Sequence, residues 1–514
     1  MNSDQSSHTS SRAMARNAFV VGGATFLSRI LGFARDLIIA FALGAGPIAD
    51  AFFVAFRLPN LLRRLFAEGS LTMAFVPVFT KIKHSQGTEE AYALARSVQI
   101  WLLMIVGLIT LAALVFAGPI TGIIAPGFKS SPEIFDLTVT LVRICFPYIL
   151  FISSVALCMG ILNSMNHFFA PAAAPALMNL TLIGFALAAY LSGGNVALYL
   201  SIGVFVSGIV QWYFQYPFLR NINFSWKGDY SLKHPGVLRI GKLMLPTVLG
   251  AAVYQLNILI GTVLASFLAA GSISYLYYAD RLVQFPLGVF AVAISTVALP
   301  SLSVLAGKGD MEGFKRTLNT SLGLTLFIAL PSTAGLIGLS HPLIDVIFGR
   351  GEFTVQAVHA TSLALVGYAA GLPAFSCVRP LVSAFYALED TRTPVKIAVL
   401  SLIVNIGLGI LLMQKLDHFG LALAASISSW VNVILLGLAL KRKTGQWLTG
   451  SSDLWKMAAA SSVLLFGTKY LSVTPWMAIA LIPAWGAFYF ALAMALKLPQ
   501  ALIISRLLPV KRNP

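Results

Sequence analysis

Charged side chains recur at helical spacing within one apolar stretch of the chain. Asp50, Arg57 and Arg64 are seven residues apart, and Glu68 follows Arg64 by four. In an α-helix these intervals place all four side chains on nearly one face, from which Arg63 is rotated by about 100°. Guanidinium groups bind phosphate oxygens through paired hydrogen bonds, and a carboxylate can hold an arginine in place or form a gate. The spacing predicts an anion-binding stripe with ion-pair gates.

Basic side chains also occur in other stretches that are typical of membrane spans. The nine are Arg29, Arg35, Arg57, Arg63, Arg64, Arg143, Arg281, Arg379 and Lys469. A cation at the bilayer centre costs at least about 2.5–3.5 kcal/mol, so such residues usually face a bundle interior or a water-filled cavity. The acids at comparable depth are Asp36, Asp50, Glu68, Asp280 and Asp345. The excess of positive charge predicts an anionic ligand.

These charges admit two interpretations, ligand binding or structural pairing. Arg29 and Arg281 each lie within a span that continues with apolar residues on both sides, which favours binding. For Arg63, Arg64 and Glu68, ion pairs that tie helices together explain the charges equally well, and the sequence does not rank the two arginines.

Three further cations and one carboxylate complete the set. Arg379, in the tenth predicted span, is interpreted as a charge that lines a cavity. Arg143 and Lys469 are interpreted as paired or snorkelling side chains. Asp36 is seven residues from Arg29 and adjacent to Arg35, which makes it a candidate ion-pair partner.

Composition excludes an ordinary soluble protein. Of 514 residues, 58% are hydrophobic and 10% charged, and the mean hydropathy is +0.85. Long continuous apolar runs predict membrane-spanning helices rather than strands, which would alternate. We predict an all-α integral membrane protein with fourteen spans. They cover residues 17–43, 48–80, 93–118, 136–163, 171–192, 196–219, 239–269, 273–305, 317–340, 354–387, 394–413, 418–440, 454–471 and 475–496.

The distribution of charge orients these spans. A net charge of +17 could indicate a nucleic-acid partner, but the basic residues are dispersed among apolar spans. With a cytoplasmic N-terminus, 23 Lys and Arg residues fall on the cytoplasmic side and only three on the other. This bias predicts that both termini are cytoplasmic, and it favours membrane lipids over nucleic acid as partners.

The two halves of the chain resemble each other. Gly46 and Gly271 lie 225 positions apart, and Pro59 and Pro286 lie 227 apart, in similar sequence contexts. Two parallel six-helix lobes around a central cationic cavity are predicted. The predicted domains are a tail (1–16), a first lobe (17–220), a loop (221–238), a second lobe (239–440), a loop (441–453), a final helix pair (454–496) and a tail (497–514).

Enzyme signatures are missing from the sequence. It contains no glycine-rich phosphate loop, no HExxH and no GxSxG, and its histidines and cysteines lack metal-ligand spacing. We therefore expect no catalytic residue, cofactor or metal site. Transport would draw its energy from an ion gradient or the membrane potential.

Several motifs resemble those of one family. Residues 28–36 (SRILGFARD) and 50–69 (DAFFVAFRLPNLLRRLFAEG) are similar to motifs of the MurJ (MviN) family of bacterial lipid II flippases, in the MOP exporter superfamily. Residues 74–77, 277–286 and 391–396 continue the similarity, which extends over essentially the whole chain.

The resemblance implies a fold and a cargo. It implies fourteen helices, in which the final pair forms a groove for a polyprenyl tail. The implied cargo is lipid II, an undecaprenyl-diphosphate-linked disaccharide-pentapeptide that crosses the bacterial inner membrane for peptidoglycan synthesis. Proteins of the cell-wall synthesis machinery are further expected partners.

The resemblance also implies site residues. Arg29, Arg35 and Arg281 match arginines of the family's cavity and would hold the diphosphate, while the lobes rock between inward-open and outward-open states. The stripe from Asp50 to Glu68 would serve as a gate. Where some members carry Glu, this chain has Gln284, so a proton-linked role at that position is not expected.

Other functions remain open from the residues alone. A related exporter could carry another polyprenyl-diphosphate-linked glycan or a small-molecule drug. A drug or cation exporter should use acidic membrane residues, whereas this interior is net basic. A scaffold of envelope assembly that transports nothing would tolerate substitution of the arginines.

Overall fold

The computed structural model describes residues 2–64, 70–445, 451–470 and 474–507. In these ranges the chain forms helices joined by turns and loops, and no strand occurs there. The α-helices are α1 (Asn2–Leu43), α2 (Pro47–Leu62), α3 (Ser70–Gln86), α4 (Thr88–Val115), α5 (Ala117–Ile124), α6 (Pro132–Cys145), α7 (Tyr148–Ser164), α8 (Phe169–Ser192), α9 (Val196–Asn221), α10 (Pro235–Ala265), α11 (Ser272–Pro286), α12 (Val292–Gly307), α13 (Met311–Gly338), α14 (Ser340–Phe348), α15 (Val355–Ala369), α16 (Leu372–Ala387), α17 (Arg392–Thr444), α18 (Ser451–Tyr470), α19 (Pro475–Ala495) and α20 (Pro499–Leu507).

The protein is an all-α integral membrane protein. Within the described ranges, eight helices are long and apolar enough to cross a membrane by length and composition, or nine if the bent pair α15 and α16 counts as one span. Each of the fourteen predicted spans falls on one or more of the helices. The count of fourteen membrane crossings stays a prediction.

Several predicted spans are broken rather than continuous. The span predicted at 48–80 corresponds to α2 and α3, and π-helical hydrogen bonding follows α2 at residues 63–64. Pro59, inside α2, lacks the N–H group that a regular helix needs. The span predicted at 354–387 bends by 40° between α15 and α16. The ideal-helix geometry assumed for the stripe from Asp50 to Glu68 therefore ends at Leu62.

The structure divides into two compact units, Met1–Phe267 and Leu268–Pro514. In unit 1, α8 packs against α1 and α9, while α7 packs against α3, α4 and α9. In unit 2, α16 packs against α12, α13 and α17, and its buried face includes Phe385 and Leu381 together with Phe314 of α13. The final pair extends unit 2, because α18 packs against α13 and α19 against α14.

The internal repeat reappears in the packing within each unit. The pair α2 and α6 corresponds to α11 and α15, and the pair α3 and α7 corresponds to α12 and α16. Helices α4 and α13 begin at Thr88 and Met311, 223 positions apart, and α5 and α14 begin at Ala117 and Ser340, also 223 apart. Even the irregular turns recur, because a π-helical segment at residues 287–291 follows Pro286.

Helix α10 makes its contacts in unit 1. It packs against α3, α4 and α5, and near its end Ser266 Oγ accepts a 3.1 Å hydrogen bond from the Gly127 N–H. The sequence-based division instead placed this helix at the start of the second lobe, at residue 239. The predicted lobe boundaries stay a prediction. The contacts of α10 associate this helix with unit 1.

The loop before α10 is fastened to α4. Arg96, which is 7% exposed, donates from Nε to the Ser225 carbonyl (2.9 Å) and from Nη1 to the Asp229 carbonyl (3.0 Å). The Trp101 ring N–H donates to the Leu232 carbonyl at 2.9 Å. The loop predicted at 221–238 corresponds to residues 222–234 between α9 and α10. These residues, called the strap below, are held against α4 by these hydrogen bonds.

A tight turn joins the two predicted spans within α17. Asp417 has a φ of 46° and a ψ of −135°, a non-helical conformation that separates the two segments. A Cβ atom added to Gly420 would lie 2.5 Å from the Leu412 carbonyl oxygen, so the returning segment passes too close for any larger residue.

Candidate functional site

Arg29 lies exposed on α1 among apolar side chains. Its neighbours Phe26 and Ile30 are 67% and 51% exposed, and Phe33, one turn further, is 40% exposed. Arg29 is thus an exposed cation on an otherwise apolar surface of α1, and its role as an anion ligand stays a prediction.

Arg35 occupies a different environment two turns along α1. It donates from Nε (3.0 Å) and Nη2 (2.6 Å) to Asp36 Oδ1, and from Nη1 to Asn179 Oδ1 at 3.0 Å. Asn179, on α8, donates in turn to the Ser28 carbonyl at 3.0 Å. The Arg35 side chain is only 12% exposed and that of Asp36 only 4%. This network ties α1 to α8 and fixes the direction of the guanidinium.

Asn179 was not among the residues that the sequence singled out. A carboxamide inside the otherwise apolar span predicted at 171–192 was the available signal, since polar side chains in spans usually have a partner. Its partner could not be identified from the sequence, because Arg35 lies 144 positions away.

The second-span charges lie on α2 and the turn that follows it. Asp50 is 2% exposed in the first turn of α2, while Arg57, Arg63 and Arg64 are half-buried. Arg63 donates from Nη2 (2.8 Å) and Nε (3.2 Å) to Asn60 Oδ1. Glu68 lies outside the described residues. The gate predicted for this stripe stays a prediction.

Arg281 lies on α11 in unit 2. Its guanidinium carbon is 4.5 Å from the centroid of the Tyr277 ring, one turn earlier on the same helix. Gln284 donates from Nε2 to Asp280 Oδ1 at 3.4 Å, so the residue that departs from the family pattern faces a carboxylate. The ring contact positions the Arg281 guanidinium in the way that Asp36 positions that of Arg35.

The remaining predicted cations are dispersed. Arg379 is exposed on α16, and Arg143 is exposed on α6, where its Nε lies 3.4 Å from the Leu114 carbonyl. The side chain of Lys469 is not among those described. The predicted ligands thus occupy three helices, with Arg29 and Arg35 on α1 in unit 1 and with Arg281 on α11 and Arg379 on α16 in unit 2.

The chemistry available at these positions is electrostatic binding. Exposed and oriented guanidinium groups can bind a phosphate or diphosphate through paired charge-assisted hydrogen bonds. The three cysteines are buried free thiols, and none belongs to the predicted site. They are Cys145, Cys158 and Cys377. The arginine positions are therefore candidates for holding an anionic group.

Comparison with known proteins identifies the family. The family described as lipid II flippase MurJ matches residues 39–496. A probable lipid II flippase MurJ of Vibrio cholerae is 36% identical over 494 residues, which cover 91% of this chain and 93% of the relative. A protein with the same description from Rhizobium meliloti is 38% identical over 439 residues, which cover 85% and 82%.

Solved structures agree with this. A lipid II flippase MurJ in an inward closed conformation matches with a TM-score of 0.81 at 30% identity, covering 93% of this chain and 98% of that chain. An inward-facing multidrug resistance transporter of the MATE family, in the MOP superfamily, matches with a TM-score of 0.69 at 14% identity, covering 83% and 98%. The second likeness concerns the fold alone. The chain therefore belongs to the MurJ family of lipid II flippases.

Proposed function

We propose that this protein is a flippase that moves lipid II from the inner to the outer leaflet of the cytoplasmic membrane by alternating access. The observation that carries the proposal, beside family membership, is the exposed Arg29 among apolar neighbours on α1. A cation in that position is costly unless it meets water or an anion. A diphosphate that travels with an apolar tail supplies the anion at membrane depth.

The arginines have proposed roles in holding the diphosphate. Arg29 makes direct contact, and Arg281 approaches from α11 with its guanidinium placed by Tyr277. Arg35 contributes its positive charge, and the bonds to Asp36 and Asn179 set the direction of its guanidinium. Arg379 contributes positive charge to the cavity wall.

The second-span charges have a proposed role as a gate. Asp50, Arg57, Arg63 and Arg64, with Glu68, exchange ion pairs as the lobes rock. The π-helical turn after Pro59 supports this assignment, because such turns interrupt regular hydrogen bonding and often occur at functional sites.

Family membership and the charge bias support a proposal for the location, orientation and partners of the transporter. The protein acts as a transporter and not as an enzyme, in the inner membrane of a bacterium, with both termini cytoplasmic. The proposed lobes are residues 17–220 and 239–440 around a central cationic cavity, and α18 and α19 are proposed to form the groove for the polyprenyl tail. The partners are lipid II, membrane lipids and proteins of cell-wall synthesis.

The proposal is tested by reconstitution. Purified protein in liposomes should move fluorescent lipid II to the opposite leaflet, and Arg29→Ala should lower the rate at least about tenfold, as expected for the loss of a charge-assisted contact. Arg143→Ala is the matched control, because Arg143 is also an exposed arginine in an apolar span. It should leave the rate near that of the wild type.

Three outcomes contradict the proposal. Equal rates in Arg29→Ala and wild type would indicate a scaffold, or a transporter that does not use this cation. Equal transport of a polyprenyl diphosphate that bears an unrelated glycan would reassign the cargo. Transport of a cationic drug in preference to lipid II would favour the exporter alternative.

A further inference from the structure

Unit 1 contains a groove that the proposed function does not use. Its volume is about 580 Å3, and its walls come from α1, α3, α7 and the start of α8. Met73 and Val76 of α3, Met159 of α7 and Phe168, just before α8, are among the residues that line it. Phe26 and Leu27, which follow the lining residue Thr25 on α1, are 67% and 54% exposed.

The lining identifies the chemistry of an occupant. Thr25, Thr72 and Asn163 supply the polar groups of the wall, and the remaining lining side chains are apolar. A sugar or peptide headgroup carries many hydrogen-bonding groups, and each one left unsatisfied on burial costs about 1–3 kcal/mol. A hydrocarbon chain has none. Methionine adapts its shape to irregular apolar ligands, and two methionines line this wall.

The charge beside the groove indicates which chemical group the bound hydrocarbon chain must carry. Thr25, in the wall, lies four residues before Arg29 on α1, so the two side chains are neighbours on the helix surface. An occupant therefore has an apolar chain in the groove and an anionic group within reach of the exposed Arg29. A polyprenyl diphosphate combines the two.

We infer that the groove between α1, α3, α7 and α8 binds the phosphate-proximal isoprene units of the lipid cargo. This inference rests on the proposed function, because it takes the diphosphate at Arg29 as its starting point. A groove of this volume is the size of a typical small-molecule site and holds a section of the chain rather than all of it. The groove makes the first isoprene units part of what the protein recognises.

The test compares two soluble lipid II analogues, one with three isoprene units and one with a single unit. In nanodiscs, the wild type should bind the longer analogue about tenfold more tightly, because more apolar surface is buried. Val76→Trp fills the groove and should remove most of this difference. It should weaken the binding of the shorter analogue, which carries one isoprene unit, less than that of the longer one. Val297→Trp, at a 72% exposed valine on the counterpart helix α12, is the matched control and should keep the difference.

Arg29→Ala separates this inference from the proposed function. This substitution should weaken the binding of both analogues by the same factor. If it weakens neither, the proposed function fails, whatever Val76→Trp does. If it weakens both while Val76→Trp retains the full chain-length difference, the groove is not the binding site and the proposed function stands.

A second readout does not depend on the folding of a variant. A lipid II analogue with a photoreactive diazirine on its first isoprene unit should label Met73 or Met159 in the wild-type protein. Labelling confined to α18 and α19, or labelling by a photoreactive phospholipid that the lipid II analogue does not displace, would overturn the inference.

Discussion

The guanidinium carbon of Arg281 lies 4.5 Å from the centroid of the Tyr277 ring. The face of an aromatic ring attracts a cation, and such a contact contributes about 0.5–2 kcal/mol. The two residues are one turn apart on α11, so the ring limits the positions that the guanidinium can take. Tyr277 is therefore a positioning residue for Arg281, which is predicted to bind the diphosphate.

Removal of the Tyr277 ring should weaken ligand binding. Tyr277→Leu is expected to lower the affinity for a short-chain lipid II analogue about three- to tenfold, because Arg281 loses the contact that positions it. Tyr277→Phe keeps the ring face and should bind like the wild type in calorimetric titration. An equal loss in both variants would assign the effect to the hydroxyl group instead.

The Arg35 network should contribute to stability as well as to binding. Arg35→Lys keeps the charge but cannot donate to both Asp36 and Asn179, so we expect about 1–3 kcal/mol of lost stability. The measurement is the thermal midpoint of the detergent-solubilised protein. Arg29→Lys, at an exposed position, is the control and should leave the midpoint unchanged. The same midpoint in both variants would show that the network is dispensable.

The strap before α10 should loosen when its central donor is replaced. Arg96→Lys loses the fork that serves the Ser225 and Asp229 carbonyls, so amide hydrogen exchange in residues 222–234 should accelerate at least about tenfold. Glu89→Gln is the comparison, because Glu89 lies 3.9 Å from Arg96, is 85% exposed and should contribute little. Unchanged exchange in Arg96→Lys would mean that two other hydrogen bonds hold the strap without it. These run from the Tyr92 hydroxyl to the Ile222 carbonyl (2.6 Å) and from the Trp101 ring N–H to the Leu232 carbonyl.

Low pH should weaken the junction between α16 and α17. Asp390, in the connecting turn, accepts a 2.5 Å contact from Lys443 and a 2.6 Å hydrogen bond from the Thr393 hydroxyl, and these partners hold the pKa of Asp390 well below its usual value. A carboxylate with a lowered pKa stabilises the fold above its unfolded-state pKa, near 3.9, and this stabilisation is lost as the pH falls towards the folded-state value.

The corresponding measurement is the thermal midpoint of wild type and Asp390→Asn as a function of pH. Asp390→Asn should be less stable by about 1 kcal/mol at pH 7, since Lys443 is partly exposed, and the difference should shrink below about pH 4. The stability difference between Lys443→Met and wild type should likewise shrink below about pH 4. A difference between Asp390→Asn and wild type that is constant from pH 7 to pH 3 would be inconsistent with an ionised Asp390.

Much of the architecture was predictable because hydropathy and helical periodicity are local properties. The fourteen apolar runs all fall on helices, and the spacing of Gly46 and Gly271 indicated a repeat that reappears in the packing of α2 and α11. The continuity of these helices was harder to predict. Pro59 suggested a bend, but the π-helical turn after it depends on which backbone groups find partners, and that is not encoded in spacing.

The sequence by itself determined that this is a helical membrane protein with an excess of positive charge within its apolar spans, because the cost of placing apolar and charged groups in lipid depends on residue type. Only the tertiary structure decided what each cation does. It bound Arg35 to Asn179 on α8, left Arg29 exposed beside an apolar groove, and fastened Arg96 to a loop more than a hundred residues away. Such pairings require distant segments to pack together, and packing is a property of the whole fold.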